Sequence, residues 1–549
     1  MSKLISETNP ILKMDFPDPD VIFVDGVYYM ISTTMHFLPG GQILRSYDLL
    51  HWEHAAYVFD CLDGTDAQKL CNGKYVYGKG MWAASLRYHK GTFYVVFVCN
   101  DTQKTYLYRA EKIEGPWRKS EIKGFYHDCS LLFDDGRTYI VYGNRQIYLT
   151  ELDEDLTGPK EGGLNRLIVS DSDETRLGYE GSHLYKINGR YYLFFIHSLK
   201  ERWRRVEACF SADSLEGDFE GGDVLDDDMG FRDSGVAQGG IVCGADGTWN
   251  AILFQDSGAV GRIPVVVPVT WNGGRIVFGI DGKVPHEMTL PVSEKCPAKE
   301  GEYEYSPLID SDDFHYGFKW GEISDVTETK TEEKRSREKE SYRRKYGTFG
   351  LRSIWQFNHE PDLGLLFRDD EEGKLWITTD KSSPDLNQAR NTLTQRTVYP
   401  GCSAEVSVDA SKLKDGDRAG LCILQGDYCW AGVEKRDGKL FSVMYSQKEE
   451  RDVWDLSKAP ADLPEEREIT SEEEKKNRIF RFRIEVCFEN EKDEADCFIQ
   501  EDGKWKKIGS THKLHFRLDH FTGARFGLFV YSTKEPGGKA GFSDFRIER

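Results

Sequence analysis

Five chemically distinctive residues occupy matching positions in five copies of one sequence pattern: Asp18, Trp82, Asp128, Glu180 and Gln238. Each stands seven or eight positions before the residue that precedes a turn glycine. Three carboxyls in one pocket cannot all ionise freely, because desolvation and mutual repulsion raise the pKa of at least one of them. Such a pocket holds an acid and a base at the same pH, the pair that hydrolysis of a glycosidic bond requires. The Trp82 ring would add an apolar face for a sugar.

Each of these residues also has a purely structural explanation when it is taken alone. Asp18 lies between two prolines, where an aspartate commonly forms a turn, and Asp128 would cap a strand. A repeat that serves only structure, however, has no reason to place charged residues at a converging position. The recurrence of all of them at matched positions therefore favours the chemical interpretation.

The element that positions these residues is a repeated β-hairpin. Each copy has an apolar run, a turn residue followed by glycine, and a second run rich in aromatic residues, which predicts a two-residue turn. The turn pairs are Asp25-Gly26, Lys90-Gly91, Asp135-Gly136, Asn188-Gly189 and Asp246-Gly247. The copies recur about every 45 to 65 residues, a spacing typical of propeller blades. Equivalent blade positions lie at equal radius and height, so we expect the five leading residues to meet at one end of the propeller axis.

Two or three domains are expected, because 549 residues exceed one ordinary core. The composition, rich in aromatic residues and glycine, favours an all-β fold, and the sequence pattern divides the chain into two domains. Residues 1–300 hold the five hairpin repeats and form the predicted propeller. Residues 301–549 return to short alternating strands without the blade repeat, which predicts a β-sandwich of two antiparallel sheets. A dense run of mixed charges at about 325–347 indicates a solvated insertion.

Charge, apolar runs and cysteine usage disfavour nucleic-acid and membrane partners and indicate a reducing compartment. The net charge of −21 disfavours nucleic acid and anionic membranes. No apolar run approaches the roughly 18 residues of a membrane span, and the N-terminal residues lack the apolar core of a signal peptide. Twelve cysteines without a C-x-x-C pair indicate free thiols in a reducing cytoplasm. We therefore expect a cytoplasmic protein. A neutral substrate such as a small oligosaccharide is compatible with this charge but is not indicated by the charge alone. The sequence does not decide the oligomeric state of the protein, and a homo-oligomer stays open.

Motifs in both halves of the chain resemble those of one enzyme family. The first half contains Asn9-Pro-Ile-Leu12, Phe16-Pro-Asp-Pro19, Tyr28-Tyr-Met-Ile-Ser-Thr-Thr34 and Ser46-Tyr-Asp-Leu-Leu-His-Trp52; the second contains Trp355-Gln-Phe-Asn-His-Glu-Pro-Asp362, Ala389-Arg-Asn-Thr-Leu-Thr-Gln-Arg396 and Gly416-Asp-Arg-Ala-Gly-Leu421. The first set resembles glycoside hydrolase family 43, the β-xylosidases and α-L-arabinofuranosidases. The second resembles the concanavalin-like C-terminal domain of the family's β-xylosidases. The likeness covers nearly the whole chain.

The resemblance implies an inverting mechanism on a five-bladed propeller. Asp18 matches the general base, and Glu180 matches the general acid. Asp128 matches the aspartate that orients the acid and raises its pKa. Arg262 matches an arginine that binds the hydroxyls of the substrate. No cofactor is required by this chemistry.

Further positions match or depart from the family pattern. Phe37 lies where family members line the pocket, and Phe521 lies where some members send a sandwich residue to close the pocket mouth. Gln238 lines the site where many members carry a histidine near an axial calcium ion, which places a structural calcium at the propeller axis in doubt. Asp20 and Ala84 stand where serine and proline are common.

The function these features predict is exo-acting, inverting hydrolysis. The enzyme would release xylose, arabinofuranose or both from the non-reducing ends of xylo-oligosaccharides or arabinoxylan fragments. A non-catalytic carbohydrate-binding propeller is the alternative, although such a protein need not keep all three acids. The five-bladed fructan-cleaving enzymes normally begin with a Trp-Met-Asn-Asp-Pro-like motif, which is absent. The sequence leaves the choice between xylose and arabinose open.

Overall fold

A computed structural model gives the architecture of the chain. It describes residues 3–171, 175–298, 303–320, 345–347, 349–448, 461–463 and 478–549. Residues 325–344 of the predicted charged insertion lie outside this set. Single 3-10 turns lie at Gly258–Val260, Leu363–Leu365, Leu386–Gln388 and Glu489–Glu491, and the described residues 345–346 are α-helical. A helix with the length and apolar character needed to cross a membrane is absent from the described residues.

The first half of the chain is a five-bladed β-propeller, which confirms the predicted fold. The first strands, in chain order, are β1 (Leu4–Thr8), β2 (Asp20–Val24), β3 (Val27–Ser32), β4 (Phe37–Leu38), β5 (Gly40–Ser46), β6 (Glu53–Phe59), β7 (Ser85–His89), β8 (Thr92–Cys99), β9 (Lys104–Ala110), β10 (Arg118–Ile122), β11 (Ser130–Asp134), β12 (Arg137–Asn144), β13 (Gln146–Leu152) and β14 (Asn165–Ser170). Blade 1 is the antiparallel sheet β2-β3-β5-β6, blade 2 is β7-β8-β9-β10, and blade 3 is β11-β12-β13-β14.

The last two blades follow the same plan. Their strands, with the final strand of the propeller, are β15 (Glu180–Ile187), β16 (Arg190–Ser198), β17 (Arg205–Ala212), β18 (Glu220–Leu225), β19 (Val236–Ala237), β20 (Ile241–Cys243), β21 (Trp249–Asp256), β22 (Arg262–Asn272), β23 (Arg275–Phe278) and β24 (Glu287–Pro291). Blade 4 is β15-β16-β17-β18, and blade 5 is β19-β21-β22-β23 with β20 paired to β21. The N-terminal strand β1 pairs antiparallel with β24, which joins the two ends of the propeller.

The predicted hairpin turns form in the first four blades. The first turn residue has a positive φ in each: 49° at Asp25, 48° at Lys90, 47° at Asp135 and 51° at Asn188. The glycines that follow have φ between 76° and 84°. A two-residue type I′ turn requires positive φ at both central positions, and glycine adopts it without steric cost. The fifth hairpin instead closes through a wider turn, in which the Gly244 amide donates to the Thr248 carbonyl at 2.8 Å.

The second half is a β-sandwich of two large antiparallel sheets. Its strands are β25 (Gln356–Asn358), β26 (Leu366–Asp369), β27 (Lys374–Thr378), β28 (Leu393–Arg396), β29 (Gly401–Lys412), β30 (Asp417–Leu424), β31 (Cys429–Arg436), β32 (Lys439–Lys448), β33 (Ala461–Leu463), β34 (Ile479–Cys487), β35 (Glu494–Glu501), β36 (Lys504–Lys507), β37 (His512–Lys513), β38 (Arg525–Ser532) and β39 (Lys539–Glu548). One sheet has the order β33-β32-β31-β30-β38-β28-β25-β4, and the other has β26-β27-β39-β29-β34-β35-β36, with β37 paired to β35. Inward-facing residues such as Leu421 and Ile484 are fully buried between them.

The two domains share one sheet. Strand β4 leaves blade 1 and becomes the edge strand of the sandwich, where Leu38 pairs with Phe357 and Phe37 with Asn358. The last propeller strand ends at Pro291 and the first sandwich strand begins at Gln356, so the boundary predicted at residue 300 falls in the connecting segment. The shared sheet fixes the sandwich against the face of the propeller that carries the leading residues.

Candidate active site

Three of the five leading residues of the blades share an unusual backbone conformation. Asp18, Asp128 and Gln238 have φ values of 52°, 47° and 57°. Glu180 begins β15 and is followed by Gly181 at φ 67°, with an irregular register in the next pairs. Positive φ is uncommon for residues other than glycine and costs about 1–3 kcal/mol where it occurs. Such strain is common at functional sites, and here it recurs at the blade position predicted to carry the chemistry.

Asp18 lies in an ion pair with Arg262. The Arg262 Nη1 atom donates to Asp18 Oδ1 at 2.7 Å, and both side chains are almost completely buried. Burial raises the pKa of Asp18, while the charge of Arg262 opposes this rise and the charge of Glu180 adds to it. The structure therefore brings the predicted base and the predicted substrate-binding arginine together, within electrostatic reach of the predicted acid.

On the other side of the pocket, His127 lies between two carboxyls. Its Nε2 atom is 3.8 Å from Asp128 Oδ1 and 3.7 Å from Glu180 Oε2. The three groups lie within 4.8 Å of one another. Asn144, at the end of β12, donates a short hydrogen bond to the same Glu180 oxygen. These contacts are those of an imidazole paired with two carboxyls, and we assign no metal ion to them.

The charges in this group perturb one another strongly. Burial raises the pKa of Asp128 to about 7, with His127 opposing the rise and Glu180 adding to it. Burial alone would lower the pKa of His127, but the neighbouring Asp128 and Glu180 raise it to about 9. At neutral pH, His127 is therefore an imidazolium.

Two aromatic rings and the imidazole form a wall of the pocket. The Trp82 and Phe521 rings are stacked, with centroids 5.6 Å apart and planes inclined by 8°. The His127 ring centroid lies 5.4 Å from that of Trp82, with the two planes inclined by 55°. The Arg262 guanidinium lies 4.6 Å from the Phe521 centroid, so this wall reaches from the base side of the pocket to the acid side. Flat apolar rings beside hydrogen-bonding groups suit the faces and hydroxyls of a sugar.

The Phe521 loop comes from the sandwich and is anchored to the propeller. Gly523 N donates to Asp15 Oδ2 at 2.9 Å, and Arg262 N donates to Asp15 Oδ1 at 2.8 Å. Ala524 N donates to the Ala259 carbonyl at 2.9 Å. One buried carboxylate thus connects the Phe521 loop to the backbone of the arginine that pairs with Asp18.

Gln238 lies next to Glu180, the predicted general acid. Its backbone amide donates to Glu207 Oε2 at 2.7 Å. Its side chain covers Gly181, where an added Cβ would lie 2.6 Å from the Gln238 Cδ atom. Burial raises the pKa of Glu207 well above its ordinary value, and the hydrogen bond from the Gln238 amide opposes this rise. Gln238 therefore belongs to the floor beside Glu180.

The propeller axis is occupied by an ion pair. Asp20 accepts hydrogen bonds from Arg87 Nη1 at 2.5 Å and from Leu86 N at 2.7 Å, and His183 Nδ1 lies 3.3 Å from its other oxygen. Arg87 also donates to the Ser130 hydroxyl at 2.7 Å. Although burial opposes it, these partners lower the pKa of Asp20. Calcium takes about six to eight oxygen ligands, and a carboxylate already neutralised by a guanidinium does not fit that ion.

Phe37 does not line this pocket, which corrects the expectation from the sequence. Its ring is 1% exposed and is packed among residues of the sandwich, including Trp430. The Arg525 guanidinium lies 3.6 Å from its centroid. Phe37 was misplaced because β4 leaves blade 1 for the sandwich sheet, and such a long-range pairing leaves no local signal. The other predicted site residues lie around one pocket, while their individual roles stay predictions.

Two residues of the site were missed by the sequence reasoning, His127 and Asn144. Neither recurs in the other blades, so the repeat could not identify them. His127 stands directly before Asp128, and an ionisable side chain next to a converging carboxyl was the signal available. Asn144 ends a strand far from Glu180 in sequence, and only the blade geometry brings the two together.

Comparison with known proteins agrees with this fold. The family model for glycosyl hydrolases family 43 matches residues 7–275. The model for the beta xylosidase C-terminal concanavalin A-like domain matches residues 346–548. Together they cover both domains.

Individual relatives extend over the whole chain. A beta-xylosidase of Formosa agariphila is 26% identical over 96% of this chain and 88% of its own length. A bifunctional GH43-CE protein of Bacteroides eggerthii is 37% identical, with a TM-score of 0.82 over 100% of this chain and 64% of its own. A GH43 glycoside hydrolase, in which active-site engineering generated an enzyme with endo-xylanase and exo-arabinofuranosidase activity, is 26% identical with a TM-score of 0.79 over 99% of both chains.

Proposed function

The chain belongs to glycosyl hydrolase family 43, and from this premise we propose that it is an exo-acting, inverting glycosidase. Its products are xylose, arabinofuranose or both, released from the non-reducing ends of xylo-oligosaccharides or arabinoxylan fragments. The observation that carries this proposal is the division of the carboxyls into two settings. Asp18 is paired with a guanidinium, whereas Glu180 lies with a second carboxyl and an imidazolium.

The two settings support separate roles in one displacement. Asp18, held beside Arg262, takes a proton from water as that water attacks the anomeric carbon. Glu180 gives its proton to the glycosidic oxygen as the bond to the leaving group breaks. Asp128 adds negative charge near Glu180 and favours its protonated form. After the reaction Asp18 carries the proton from water and Glu180 is ionised, so each must exchange a proton with solvent before the next turnover.

Exo action is supported by the Phe521 loop. A ring from the sandwich covers one side of the propeller pocket and stacks on Trp82. A pocket closed on that side accepts a chain end more readily than the middle of a polymer. The relatives named above include a beta-xylosidase and an engineered enzyme with exo-arabinofuranosidase activity. We propose both pentose types as substrates for this reason.

Product analysis tests the proposal directly. The purified enzyme is incubated with xylobiose, longer xylo-oligosaccharides and an arabinofuranosyl-substituted xylo-oligosaccharide, and early products are followed by proton NMR. We expect single pentoses whose anomeric configuration is opposite to that of the cleaved bond. Asp18→Ala is the inactive control. A retained configuration, or a rapid fall in the viscosity of polymeric xylan, would contradict the inverting or the exo part of the proposal.

A reducing, cytoplasmic location is proposed as well. All twelve cysteines are free thiols, and seven of them are buried. Free thiols are typical of proteins in reducing compartments. Cell fractionation with an antibody against the protein tests this location, and recovery of the protein outside the cytoplasmic fraction would contradict it.

A further inference from the structure

His127 is the cationic group that faces both carboxyls of the acid side. Its Nε2 atom is nearly equidistant from Asp128 Oδ1 and Glu180 Oε2, at 3.8 and 3.7 Å. The Asp128 oxygen that it faces has no hydrogen-bond partner among the described residues. The imidazolium therefore compensates the charge of two neighbouring carboxyls without a hydrogen bond to Asp128.

The other groups around His127 contribute little of the positive charge that balances the Asp128 and Glu180 carboxyls. The Trp82 ring centroid lies 5.4 Å from that of His127, and the Asn144 amide, which carries no charge, donates a hydrogen bond to Glu180. Asp18 and Arg262 also act on this group, and they are paired with each other at 2.7 Å. A change of charge at His127 is thus transmitted mainly to Asp128 and Glu180.

We propose that His127, as an imidazolium, is a positioning residue that holds the Asp128 and Glu180 carboxyls together and sets the upper pH limit of hydrolysis. This inference rests on the proposed function, since it assigns Glu180 the role of acid. An imidazolium beside a carboxylic acid favours loss of its proton. His127 therefore acts against Asp128, whose negative charge favours retention of that proton. The upper limit of activity reflects the balance between these two neighbours.

The sign of the expected change follows from this balance. Replacing His127 with a neutral residue removes the cation but leaves both carboxyls, so Glu180 keeps its proton to higher pH. The basic limb of the kcat/KM profile should then move upward. An opposite charge within about 4–6 Å of a carboxyl shifts its pKa by about 1–3 units, and we expect a shift of that order. Asp128→Asn removes the anion instead, so its basic limb should move downward.

The test compares three variants with the wild-type enzyme on xylobiose across the pH range of stability. His127→Gln removes the charge and keeps an amide N–H, whereas His127→Lys keeps a cation, and Asp128→Asn gives the opposite sign. We expect the basic limb to rise in His127→Gln, to stay at or below the wild-type limb in His127→Lys, and to fall in Asp128→Asn. A 4-nitrophenyl substrate, which needs little protonation, should show a smaller shift in every case.

Each alternative outcome is decisive. A uniform loss of kcat/KM in His127→Gln without movement of the limb indicates a merely structural role and overturns the inference. A change confined to KM indicates direct substrate binding and also overturns it. His127→Asn removes the same charge with a smaller side chain and replaces the Gln variant if that protein does not fold. Failure of the wild-type enzyme to cleave any pentoside would instead refute the proposed function.

Discussion

At the scale of single residues, the two reacting carboxyls differ in what their loss should do. Asp18→Ala removes the group that activates water, which every substrate needs, and it leaves Arg262 without its partner. We expect hydrolysis to fall by at least about 10²–10⁴-fold, the usual contribution of a general base. The loss should be similar for xylobiose and for a 4-nitrophenyl pentoside, as measured by kcat/KM for both substrates.

Glu180→Ala should instead distinguish between leaving groups. Xylobiose requires protonation of the departing oxygen, so its hydrolysis should fall by about 10²–10⁴-fold. The 4-nitrophenyl substrate leaves readily as an anion and should keep much more of its rate. The same pair of substrates provides the measurement. If Glu180→Ala is equally inactive on both while Asp18→Ala spares the nitrophenyl substrate, the acid and base are reversed.

The repeat in the sequence could place a site residue only where its position recurs in several blades. The leading residues could be placed because five hairpins repeat one pattern and radial symmetry brings equivalent positions together. His127 could not be placed in this way, since its importance comes from its distances to two carboxyls of different blades. The same limit explains Phe37, whose surroundings are set by pairing with residues about 320 positions away.

At the scale of elements, the sandwich loop at the pocket mouth is held by a close approach. An added Cβ at Gly523 would lie 2.2 Å from the Val260 carbonyl oxygen, which is backbone and cannot move freely. Gly523→Ala should therefore displace the Phe521 loop from the propeller. We expect a higher KM for xylobiose and a lower kcat/KM, because the part of the pocket wall formed by Phe521 is displaced.

The matched control for this change is Gly222→Ala on β18. That position has open space around an added Cβ, so the substitution adds one methyl group without a clash. Its kinetic constants should match those of the wild-type enzyme. Phe521→Ala should reproduce the rise in KM without moving the backbone. Unchanged KM values in both Gly523→Ala and Phe521→Ala would show that the loop does not contribute to substrate binding.

The hairpins themselves were predictable because their requirements are local. A turn residue followed by glycine satisfies the two positive φ values of a type I′ turn, and four of the five pairs do so here. The pair Asp246-Gly247 lies in a wider turn, so the same dipeptide does not fix the turn type alone. Loop attachments such as that of Gly523 to Asp15 join residues 508 positions apart, which no local pattern can specify.

At the scale of the whole molecule, the ion pair on the propeller axis bears on the requirement for metal. Arg87 and Asp20 connect the inner strands of blades 1 and 2, and Arg87 also reaches Ser130 in blade 3. A protein cation thus occupies the place where a calcium ion would neutralise Asp20. We expect exhaustive chelation with EDTA to leave kcat/KM unchanged. Loss of activity that calcium restores would show that an ion is required after all.

The contact between the domains contains buried histidines that should make the protein sensitive to acid. His36 of the propeller is 3% exposed and lies 4.9 Å from His359 and 6.4 Å from His520 of the sandwich, measured between ring centroids. Neither His36 ring nitrogen has a hydrogen-bond partner among the described residues. Burial lowers the pKa of His36 well below its ordinary value, and His359, His520 and Arg525 lower it further. Burial has the same effect on His359.

The direction of the pH effect follows from proton binding. A histidine whose folded pKa is depressed stays neutral in the native state, while the unfolded chain takes up a proton below about pH 6.5. Stability is therefore lost as pH falls below that value, by up to about 1.4 kcal/mol per pH unit for each such histidine. His36→Phe replaces the ring without removing a hydrogen bond, and it removes one of these proton-binding groups.

We expect Tm to fall between pH 7.0 and pH 5.5 in the wild-type protein and to fall less in His36→Phe, as measured by scanning calorimetry at both pH values. The difference should approach about 1.3 kcal/mol in unfolding free energy over this interval, because most of the loss occurs below about pH 6.5. His286→Phe, at an exposed position, is the control and should keep the wild-type sensitivity. Because the pH effect requires a buried neutral ring, an equal fall of Tm in His36→Phe and wild type would show that His36 takes up its proton without opening the contact between the domains.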